Sequence, residues 1–472
     1  MSMDIRLTKI ICTLGPASGT GEHIAALADA GMNIARINVS HGTRREHTAL
    51  LETIRIVNAE RNVPVATMLD TRGAEIRTGD VQTPLQIRKG DTVLFAPHAQ
   101  VAHGDERIVT VNYDGFAGDV RETDRILLDN GELSFDILEI RDDGAVQARA
   151  RESGTIGSRR HINLPGADID LPSVTENDWD DIGFATEQGV DFVALSFIRS
   201  AEEVEAVRAF LAKRKSSMRI ITKVETAQAI EQLQSIVDAS DGVMVARGDL
   251  GAEVPFERLP ALQSEIVVRC SNAGKPVIVA THMLESMKEH PMPTRAEVTD
   301  VAHAASESAD ATMLSGETAT GKHPVTALEA MHRILLATER HGARFTRTQS
   351  IPLRDDPYDA RAQATVQLAH DTDATAILVF TRTGRTAMQI SRFRPNVPVI
   401  ACTHDAAVQR SLALFFGVFA LHTLFGEPEE TVQSGMRLLQ NAGFGESGDR
   451  IIVVSDIPKH YADWSIQQRS VA

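Results

Sequence analysis

The sequence predicts an α/β protein: a (β/α)8 TIM barrel, an all-β lid domain inserted after barrel strand three, and a C-terminal α/β domain. Eight short apolar runs alternate with helix-like segments over residues 1–340, as expected for parallel strands buried on both faces. The alternation is broken once, from Gly73 to about Asp170, by short alternating runs between Gly and Asp turns. We therefore place the barrel at 1–72 and 171–341, an inserted β-barrel lid domain at 73–170, and the C-terminal domain at 342–472.

Each barrel strand is predicted from a run rich in Val, Ile, Ala or Met. The runs are Thr8–Leu14, Met32–Val39, Val63–Leu69, Asp191–Phe197, Arg219–Val224, Gly242–Ala246, Pro276–Ala280 and Ala311–Leu314. Helical patterns follow at 21–30, 44–60, 173–188, 201–213, 226–238, 257–273, 295–308 and 325–339, and the third of them is delayed by the insert. The same alternation also fits a doubly wound open sheet, which stays the structural alternative.

The insert and the C-terminal part of the chain have sequence patterns that differ from that of the barrel. The insert contains LQIRKGDTVLFA, RILLDNGELSFDILEI and GAVQARARESG, which predict strands joined by tight turns. An insert at the end of a barrel strand lies over the barrel mouth and can act as a lid. Beyond about Gly342, a separate α/β domain is predicted from a helical pattern at 359–370 and from strand-like runs at Ala376–Phe380, Val397–Ala401 and Ile451–Val454.

Composition excludes several classes of protein. The chain has 472 residues, with 48 Lys and Arg against 64 Asp and Glu, and a formal charge of −16. That balance disfavours binding to nucleic acid or to an anionic membrane. No apolar run reaches the roughly 18 residues of a membrane span, and the first residues do not resemble a signal peptide. Cys12, Cys270 and Cys402 fit neither a disulfide framework nor a zinc site, so we expect a cytoplasmic protein with reduced thiols.

Polar side chains follow most of the apolar runs, at the strand ends where barrels carry their catalytic groups. The residues at these ends are Arg36, Asn38, Ser40 and His41 at the end of run two, Asp70 and Thr71 after run three, Lys223 and Glu225 at run five, Asp249 with the adjacent Gly248 after run six, Thr281 after run seven and Ser315 after run eight. A structural ion pair would explain Lys223 and Glu225 alone. Charges from several strands around one rim favour a functional site, because burying them uncompensated would be costly.

The residue types indicate the chemistry. Glu225 and Asp249 are hard oxygen ligands that suit Mg²⁺ (or Mn²⁺), although acids are also common at helix N-termini. A second oxygen-rich set carries one formal negative charge and suits a monovalent cation, with plain hydrogen bonding as the alternative; it comprises Asn38, Ser40, Asp70 and Thr71. Arg36, Arg77 and Lys223 are suitable phosphate ligands, and Lys223 is the candidate for stabilising charge in a transition state.

Seven ordered motifs resemble those of the pyruvate kinase family, in register from Thr8 to about Val454. They are TKIICTLGPAS (8–18), MNIARINVSHG (32–42), LDTRGAEIR (69–77), ITKVE (221–225), MVARGDLG (244–251), PTRAE (293–297) and MLSGET (313–318). The resemblance implies transfer of the phosphoryl group of phosphoenolpyruvate to ADP, giving pyruvate and ATP, the last step of glycolysis. It also implies a mobile lid, a regulatory C-terminal domain and a homotetramer, with no nucleic-acid or membrane partner.

The resemblance also implies roles for individual residues. Lys223 would bridge the transferred phosphoryl group and the enolate oxygen, and Arg36 would hold the phosphoryl group. Glu225 and Asp249 would bind Mg²⁺, while backbone at Gly248 and Asp249, with the Thr281 hydroxyl, would hold the substrate carboxylate. Thr281 and Ser315 would lie nearest the proton path. The K⁺ site would comprise Asn38, Ser40, Asp70 and Thr71, with Glu75 as the acid of potassium-dependent members, and the nucleotide site would lie near Pro16, Asn38, His41 and Arg77.

The C-terminal domain and the departures leave alternatives open. A sugar-phosphate effector is expected at Thr381, Arg382, Thr383, Gly384, Arg385 and Thr386, with an ordinary strand–turn–helix connection as the alternative. Segment 455–464 lacks the Gly-rich, Thr-Thr loop of members activated by fructose 1,6-bisphosphate. Arg159-Arg160-His161 stands where a Lys-Lys-Gly-like stretch is usual. A catalytically silent, metabolite-binding regulator and a metal-dependent aldolase acting on pyruvate stay as alternatives to an active kinase.

Overall fold

The structure is a computed structural model that describes residues 5–97, 107–167, 169–342, 351–455 and 465–471. Residues 456–464, which make up most of the segment compared above with an effector loop, lie outside the described residues. No helix in the described ranges is long and apolar enough to cross a membrane.

Eight parallel strands close into one barrel, each beside its neighbour in the chain, which confirms the (β/α)8 prediction and rules out the open sheet. Their side chains are almost all buried on both faces, which explains the near-continuous apolar runs. Three strands have the predicted bounds and the others differ by one to three residues at an end. The strands are Lys9–Thr13, Ile34–Asn38, Ala66–Asp70, Phe192–Leu195, Arg219–Val224, Gly242–Ala246, Val277–Ala280 and Ala311–Leu314.

Helices surround the barrel and bury their apolar faces against its strands. Thr43, Thr175 and Thr294 each begin a helix with a reciprocal bond to an acid three residues later, which fixes where these helices start. The pattern predicted at 226–238 is divided into two helices at Gln232. The helices of this part are Gly21–Asp29, Arg44–Asn58, Glu176–Glu187, Ala201–Lys213, Ala227–Glu231, Leu233–Ala239, Arg247–Glu253, Leu259–Ala273, Arg295–Ser306, Gly316–Ala319 and Pro324–Gly342.

The insert, called the lid below, folds around its own core, in which the rings of Phe95 and Phe135 are 5.2 Å apart edge to face. Its described strands form a six-stranded and a two-stranded sheet, so its closure into a β-barrel stays a prediction. The strands are Leu85–Ile87, Thr92–Ala96, Ile108–Thr110, Arg125–Leu128, Leu133–Ile140, Val146–Ala150, Gly154–Ile156 and Ile162–Asn163, with one short helix at Phe116–Asp119. The division points after residues 72, 170 and 341 likewise stay predictions.

The C-terminal domain is an α/β sheet that covers the floor of the barrel, meaning the end where the barrel strands begin. Four strands are parallel and the last is antiparallel; in chain order they are Ala376–Phe380, Val399–Thr403, Val418–His422, Arg450–Ser455 and Ser465–Ser470. Its helices are Pro357–Asp371, Arg385–Arg392, Ala406–Ser411 and Pro428–Asn441. Leu414 enters the barrel lumen and packs with Ile11, Met68 and the other inward-facing residues. The mouth, where the barrel strands end, is therefore the end left for chemistry.

Candidate active site at the barrel mouth

Lys223 lies at the centre of the mouth, where the fifth strand brings it among oxygen atoms from three strands. Its Nζ is 2.8 Å from Glu225 Oε1 and 3.3 Å from Asp70 Oδ1, and it donates a 2.8 Å hydrogen bond to Ser196 Oγ. Burial lowers the pKa of Lys223, but the carboxylates of Asp70, Glu225 and Asp249 together raise it above its ordinary value. The ammonium group is thus held charged inside the protein, as a group that stabilises anionic oxygen must be.

Arg36 brings a second cation to the same place. Its Nε donates to Asp70 Oδ2 at 2.6 Å and its guanidinium donates to Thr13 Oγ1 at 2.8 Å. Burial alone would raise the pKa of Asp70, but Arg36 and Lys223 lower it below its usual value. Asp70 is therefore an ionised carboxylate that orients both cations.

Glu225 and Asp249 form a pair of carboxylates beside Lys223. Glu225 Oε2 accepts a 2.7 Å bond from the Phe197 N–H, while its Oε1 pairs with Lys223 Nζ at 2.8 Å. Burial raises the pKa of Glu225 to about 7, against the effect of Lys223 and with the charge of Asp249 adding to the rise. Burial also raises the pKa of Asp249.

This pair fits a divalent cation. Two buried carboxylates that lie close together are unfavourable when both are ionised, and a bound cation would compensate their negative charge. No cluster of three or more His, Cys, Asp or Glu in the described ranges forms a complete metal cage. Mg²⁺ commonly keeps few protein ligands and completes its shell with water and substrate oxygens, so two carboxylates are sufficient.

The oxygen-rich set predicted to hold K⁺ lies at adjacent strand ends. Asn38 and Asp70 are directly paired across the second and third strands, and Asn38 Oδ1 accepts from the Ser40 N–H at 3.1 Å. Thr71 Oγ1 accepts from the Ser196 N–H at 3.1 Å. Because Asp70 is already neutralised by Arg36 and Lys223, what remains is a nearly neutral set of oxygens, which suits a monovalent cation better than a divalent one.

Thr281 directly follows the seventh strand and contacts the short helix that contains Gly248 and Asp249. Thr281 and His282 have left-handed backbone, with φ of 65° and 54°. Arg247 stabilises this strained turn, since it donates to the Thr281 carbonyl at 2.7 Å and forms a two-pronged pair with Asp300. The Thr281 hydroxyl accepts from the Gly248 N–H at 2.7 Å. The predicted carboxylate-binding groups are therefore in direct contact.

Ser315, at the end of the eighth strand, has a buried hydroxyl with no hydrogen-bond partner in the described part of the chain. Its N–H donates to Glu317 Oε2 at 2.8 Å, and the other oxygen of Glu317 accepts from the Leu284 N–H at 3.0 Å. The backbone of Ser315 is thus fixed while its hydroxyl is left uncommitted. A buried polar group in this state is costly unless a ligand or water completes it.

The predicted nucleotide residues are less closely joined to this centre. Arg77 is not a free phosphate ligand: it pairs with Glu75 at 2.5 Å and donates to the Arg159 carbonyl at 2.7 Å. Pro16 and His41 are exposed at the mouth. Within the described ranges, no hydrogen bond or ion pair joins either side chain to Lys223.

The predicted effector segment lies in the other domain, after strand Ala376–Phe380. Gly384 has the φ of 84° that the turn requires, and its N–H donates to Thr381 Oγ1 at 3.0 Å. Thr381 and Thr386 are buried, whereas Arg382, Thr383 and Arg385 are exposed. Since this domain covers the floor, the segment is separate from the mouth.

Two further residues contact this centre, and neither was proposed as a site residue from the sequence. Ser196, at the end of the fourth strand, bonds Lys223 Nζ and also donates to the Thr71 carbonyl at 2.7 Å. The sequence signal for Ser196 is a serine directly after a buried strand. The predicted run Asp191–Phe197 included this serine, so it was not recognised as a residue at the strand end. His161 of the lid reaches the carboxylate pair, with Nδ1 3.8 Å from Asp249 Oδ1.

Comparison with known proteins gives one consistent result. Two family models match, "Pyruvate kinase, barrel domain" over residues 5–328 and "Pyruvate kinase, alpha/beta domain" over 359–463. The chain is 41% identical to pyruvate kinase isozyme G, chloroplastic, of Nicotiana tabacum, over 99% of this chain and 84% of that protein. It is 37% identical to pyruvate kinase of Clostridium acetobutylicum, over 96% of each chain. A solved pyruvate kinase from Cryptosporidium parvum superposes with a TM-score of 0.89 at 35% identity, covering 99% of this chain and 96% of that one.

Proposed function

Since this chain belongs to the pyruvate kinase family of phosphotransferases, we propose that it transfers the phosphoryl group of phosphoenolpyruvate to ADP and releases pyruvate and ATP. The observation that carries the proposal is the charged Lys223 ammonium, buried between Asp70, Glu225 and Ser196 beside the Glu225–Asp249 pair. Phosphoryl transfer needs little covalent chemistry from the protein. It needs alignment and positive charge at the transferred group, which Lys223 and Arg36 supply.

In this mechanism Arg36 binds the phosphoryl oxygens, and Lys223 lies between the transferred group and the enolate oxygen that it leaves. Ser196 and Asp70 orient the Lys223 ammonium, so the positive charge is in place before the bond breaks and needs no reorganisation. When bound, Mg²⁺ (or Mn²⁺) at Glu225 and Asp249, with K⁺ at Asn38, Ser40, Asp70 and Thr71, would neutralise further charge on the phosphate oxygens.

The second half of the reaction is protonation of the enolate carbon to give pyruvate. The Gly248 N–H and the Thr281 hydroxyl, which now bond each other at 2.7 Å, would turn to the substrate carboxylate. The uncommitted Ser315 hydroxyl, with Thr281, would hold the water or hydroxyl from which the carbon takes its proton. Conversion of the enol to the ketone makes the overall transfer strongly downhill.

The remaining expectations are parts of the same proposal. Nucleotide would bind near Pro16, Asn38, His41 and Arg77, and a sugar phosphate would bind the exposed side of Thr381–Thr386. The protein would act in the cytoplasm as a homotetramer. The relatives include both bacterial and chloroplastic proteins, and the cytoplasmic assignment rests on the composition of the chain.

The test is a coupled assay that follows pyruvate and ATP separately, with phosphoenolpyruvate, ADP and Mg²⁺, in the presence and absence of K⁺. We expect equal amounts of pyruvate and ATP, and a large loss of rate when Na⁺ replaces K⁺. A silent regulator would bind phosphoenolpyruvate without forming ATP. An aldolase would release pyruvate from a larger keto acid without ADP, and either result would refute the proposal.

A further inference from the structure

His161 is attached to the lid by its backbone. It pairs with Arg77 in an antiparallel bridge, and its carbonyl accepts from the Asp129 N–H at 3.0 Å. The next residue, Ile162, pairs with Leu128 in the six-stranded sheet. The position of His161 is therefore set by the fold of the lid and not by the barrel.

The side chain of His161, in contrast, lies against the barrel. Its ring centroid is 5.7 Å from that of Phe197, and its Nδ1 faces Asp249 Oδ1 at 3.8 Å. Only 13% of the side chain is exposed. The imidazole thus lies close to one carboxylate of the pair, beyond hydrogen-bond distance, and packs on Phe197, whose N–H bonds the other carboxylate.

Phe197 is the barrel residue that the imidazole packs on. It has a left-handed φ of 53°, which is strained for an aromatic residue, and its N–H fixes Glu225 Oε2 at 2.7 Å. On one side the turn packs closely on Gly73, where an added Cβ would come within 2.8 Å of the Phe197 ring. On the other side it packs on His161. Removing the imidazole would release a strained turn that holds Glu225 and would also uncover Asp249.

We propose that His161 is a positioning residue of the divalent-cation site: the lid supplies an imidazole that holds the Phe197 turn and the Asp249 carboxylate in place for the cation. The inference rests on the proposed function only in taking Glu225 and Asp249 as the cation ligands. Binding of the cation and docking of the lid would then favour the same arrangement of Phe197 and Asp249, so each must favour the other. Cation binding therefore tightens the seating of the lid on the barrel.

A second contact places the lid on the same helix. Asn163, two residues after His161, donates to Glu253 Oε1 at 3.3 Å, and burial raises the pKa of Glu253 to about 7. Asp249 and Glu253 lie one turn apart on helix Arg247–Glu253. Both His161 and Asn163 therefore contact this helix, and the contact of His161 is with a carboxylate of the cation pair.

The test uses the full chain and Mn²⁺ alone, with free Mn²⁺ measured by electron paramagnetic resonance. His161→Gly is expected to weaken Mn²⁺ binding about tenfold, the lower range for loss of a group that orients a metal ligand. His161→Asn should restore much of the affinity, because its amide nitrogen takes the place of Nδ1. Hydrogen exchange of segment 154–163 should slow on adding Mn²⁺ in the wild type and change less in His161→Gly.

The matched control is Arg159→Gly in the same segment. Arg159 has a φ of 56°, which glycine adopts freely, and its side chain is 74% exposed and pairs with Asp80. This variant should bind Mn²⁺ within about twofold of the wild type, since a surface ion pair contributes little. If His161→Gly does not fold, His161→Leu replaces it, because leucine keeps bulk in the lid and lacks the nitrogen.

Mn²⁺ affinity in His161→Gly within twofold of the wild type would overturn the proposal, and so would an equal loss in Arg159→Gly. The outcomes are separable from those of the proposed function, because Mn²⁺ binding is measured without turnover. A chain that forms no ATP but shows the His161 effect refutes the kinase and keeps the positioning role. If the chain forms ATP but His161→Gly binds Mn²⁺ like the wild type, the kinase is kept and the positioning role is refuted.

Discussion

The two ends of the barrel use buried charge in opposite ways. At the floor, each buried carboxylate is matched by the C-terminal domain. Asp191 meets Arg410 at 2.7 Å, and Asp310 holds both prongs of Arg394 at 2.7 and 2.8 Å. Lys9 is buried there too, and it donates to the Val418 carbonyl at 2.6 Å with the Phe419 ring 3.7 Å away.

At the mouth, by contrast, the pairing is incomplete. The pKa values of Glu225 and Asp249 are raised there, by burial first of all. Thr281 has left-handed backbone there. A floor with matched charges stabilises the fold, whereas a mouth with spare oxygens and a held ammonium has the arrangement that a ligand completes. The difference agrees with the proposal that the mouth is the functional end.

Among substitutions that test the difference between the two ends, the largest loss of activity is expected at Lys223. Lys223→Met removes the ammonium from between Asp70 and Glu225, so we expect kcat to fall by about a thousandfold or more, the upper range for loss of one electrostatic donor. The coupled assay measures it. Lys322→Met, which removes a lysine from an exposed pair with Glu289, is the control and should keep normal turnover. A kcat within tenfold of the wild type in Lys223→Met would refute the assigned role.

A smaller effect, on stability alone, is expected at the floor. Asp310→Ala leaves Arg394 buried without its partner and removes acceptors for the Val277 and Phe416 N–H groups. We expect a loss of about 3 kcal/mol in the free energy of unfolding, as for other broken buried pairs. Urea denaturation checks it. The folded fraction should keep a kcat within threefold of the wild type, and a collapse of kcat like that of Lys223→Met would contradict the contrast between the two ends.

The smallest effect is expected at Lys9. Burial lowers the pKa of Lys9 well below its ordinary value of 10.5, so in the window between the two values the unfolded chain binds a proton that the folded chain has released. Wild-type stability therefore rises with pH across that window, and Lys9→Met should lack this rise. Near pH 7 the substitution should change stability by only about 1 kcal/mol, because a buried amine is replaced by an apolar side chain of similar volume.

Thermal midpoints of wild type and Lys9→Met between pH 7 and pH 10 measure this difference. Lys322→Met again serves as the exposed control and should follow the wild type. Parallel pH profiles for wild type and Lys9→Met would show that Lys9 keeps its proton in the folded protein.

The barrel could be predicted from the sequence because its strands are buried on both faces and therefore leave continuous apolar runs. Strand Ser465–Ser470, with the sequence SIQQRS, leaves no such run, because it lies at the edge of its sheet and is partly exposed. Strand Val418–His422 was missed as well, since its apolar residues merge with the preceding Leu412–Phe416 in one apolar stretch.

Within the site, period-two spacing placed Lys223 beside Glu225, because neighbours on one strand follow the backbone. The roles assigned to the site residues stay predictions. His161 and Ser196 are joined to the centre by contacts between segments far apart in the chain, which no local pattern encodes. Arg77 was expected to bind phosphate, but its guanidinium pairs with the carboxylate of Glu75, two residues earlier in the chain.

Leu414 has a consequence for how the molecule is made. It closes the lumen from below, yet it is translated well after Ala311–Leu314, the last barrel strand. A barrel that has just left the ribosome therefore exposes the lower layer of its apolar lumen residues until Leu414 has been made. We therefore expect a chain that ends before this residue to expose apolar surface and to aggregate more readily than the full chain.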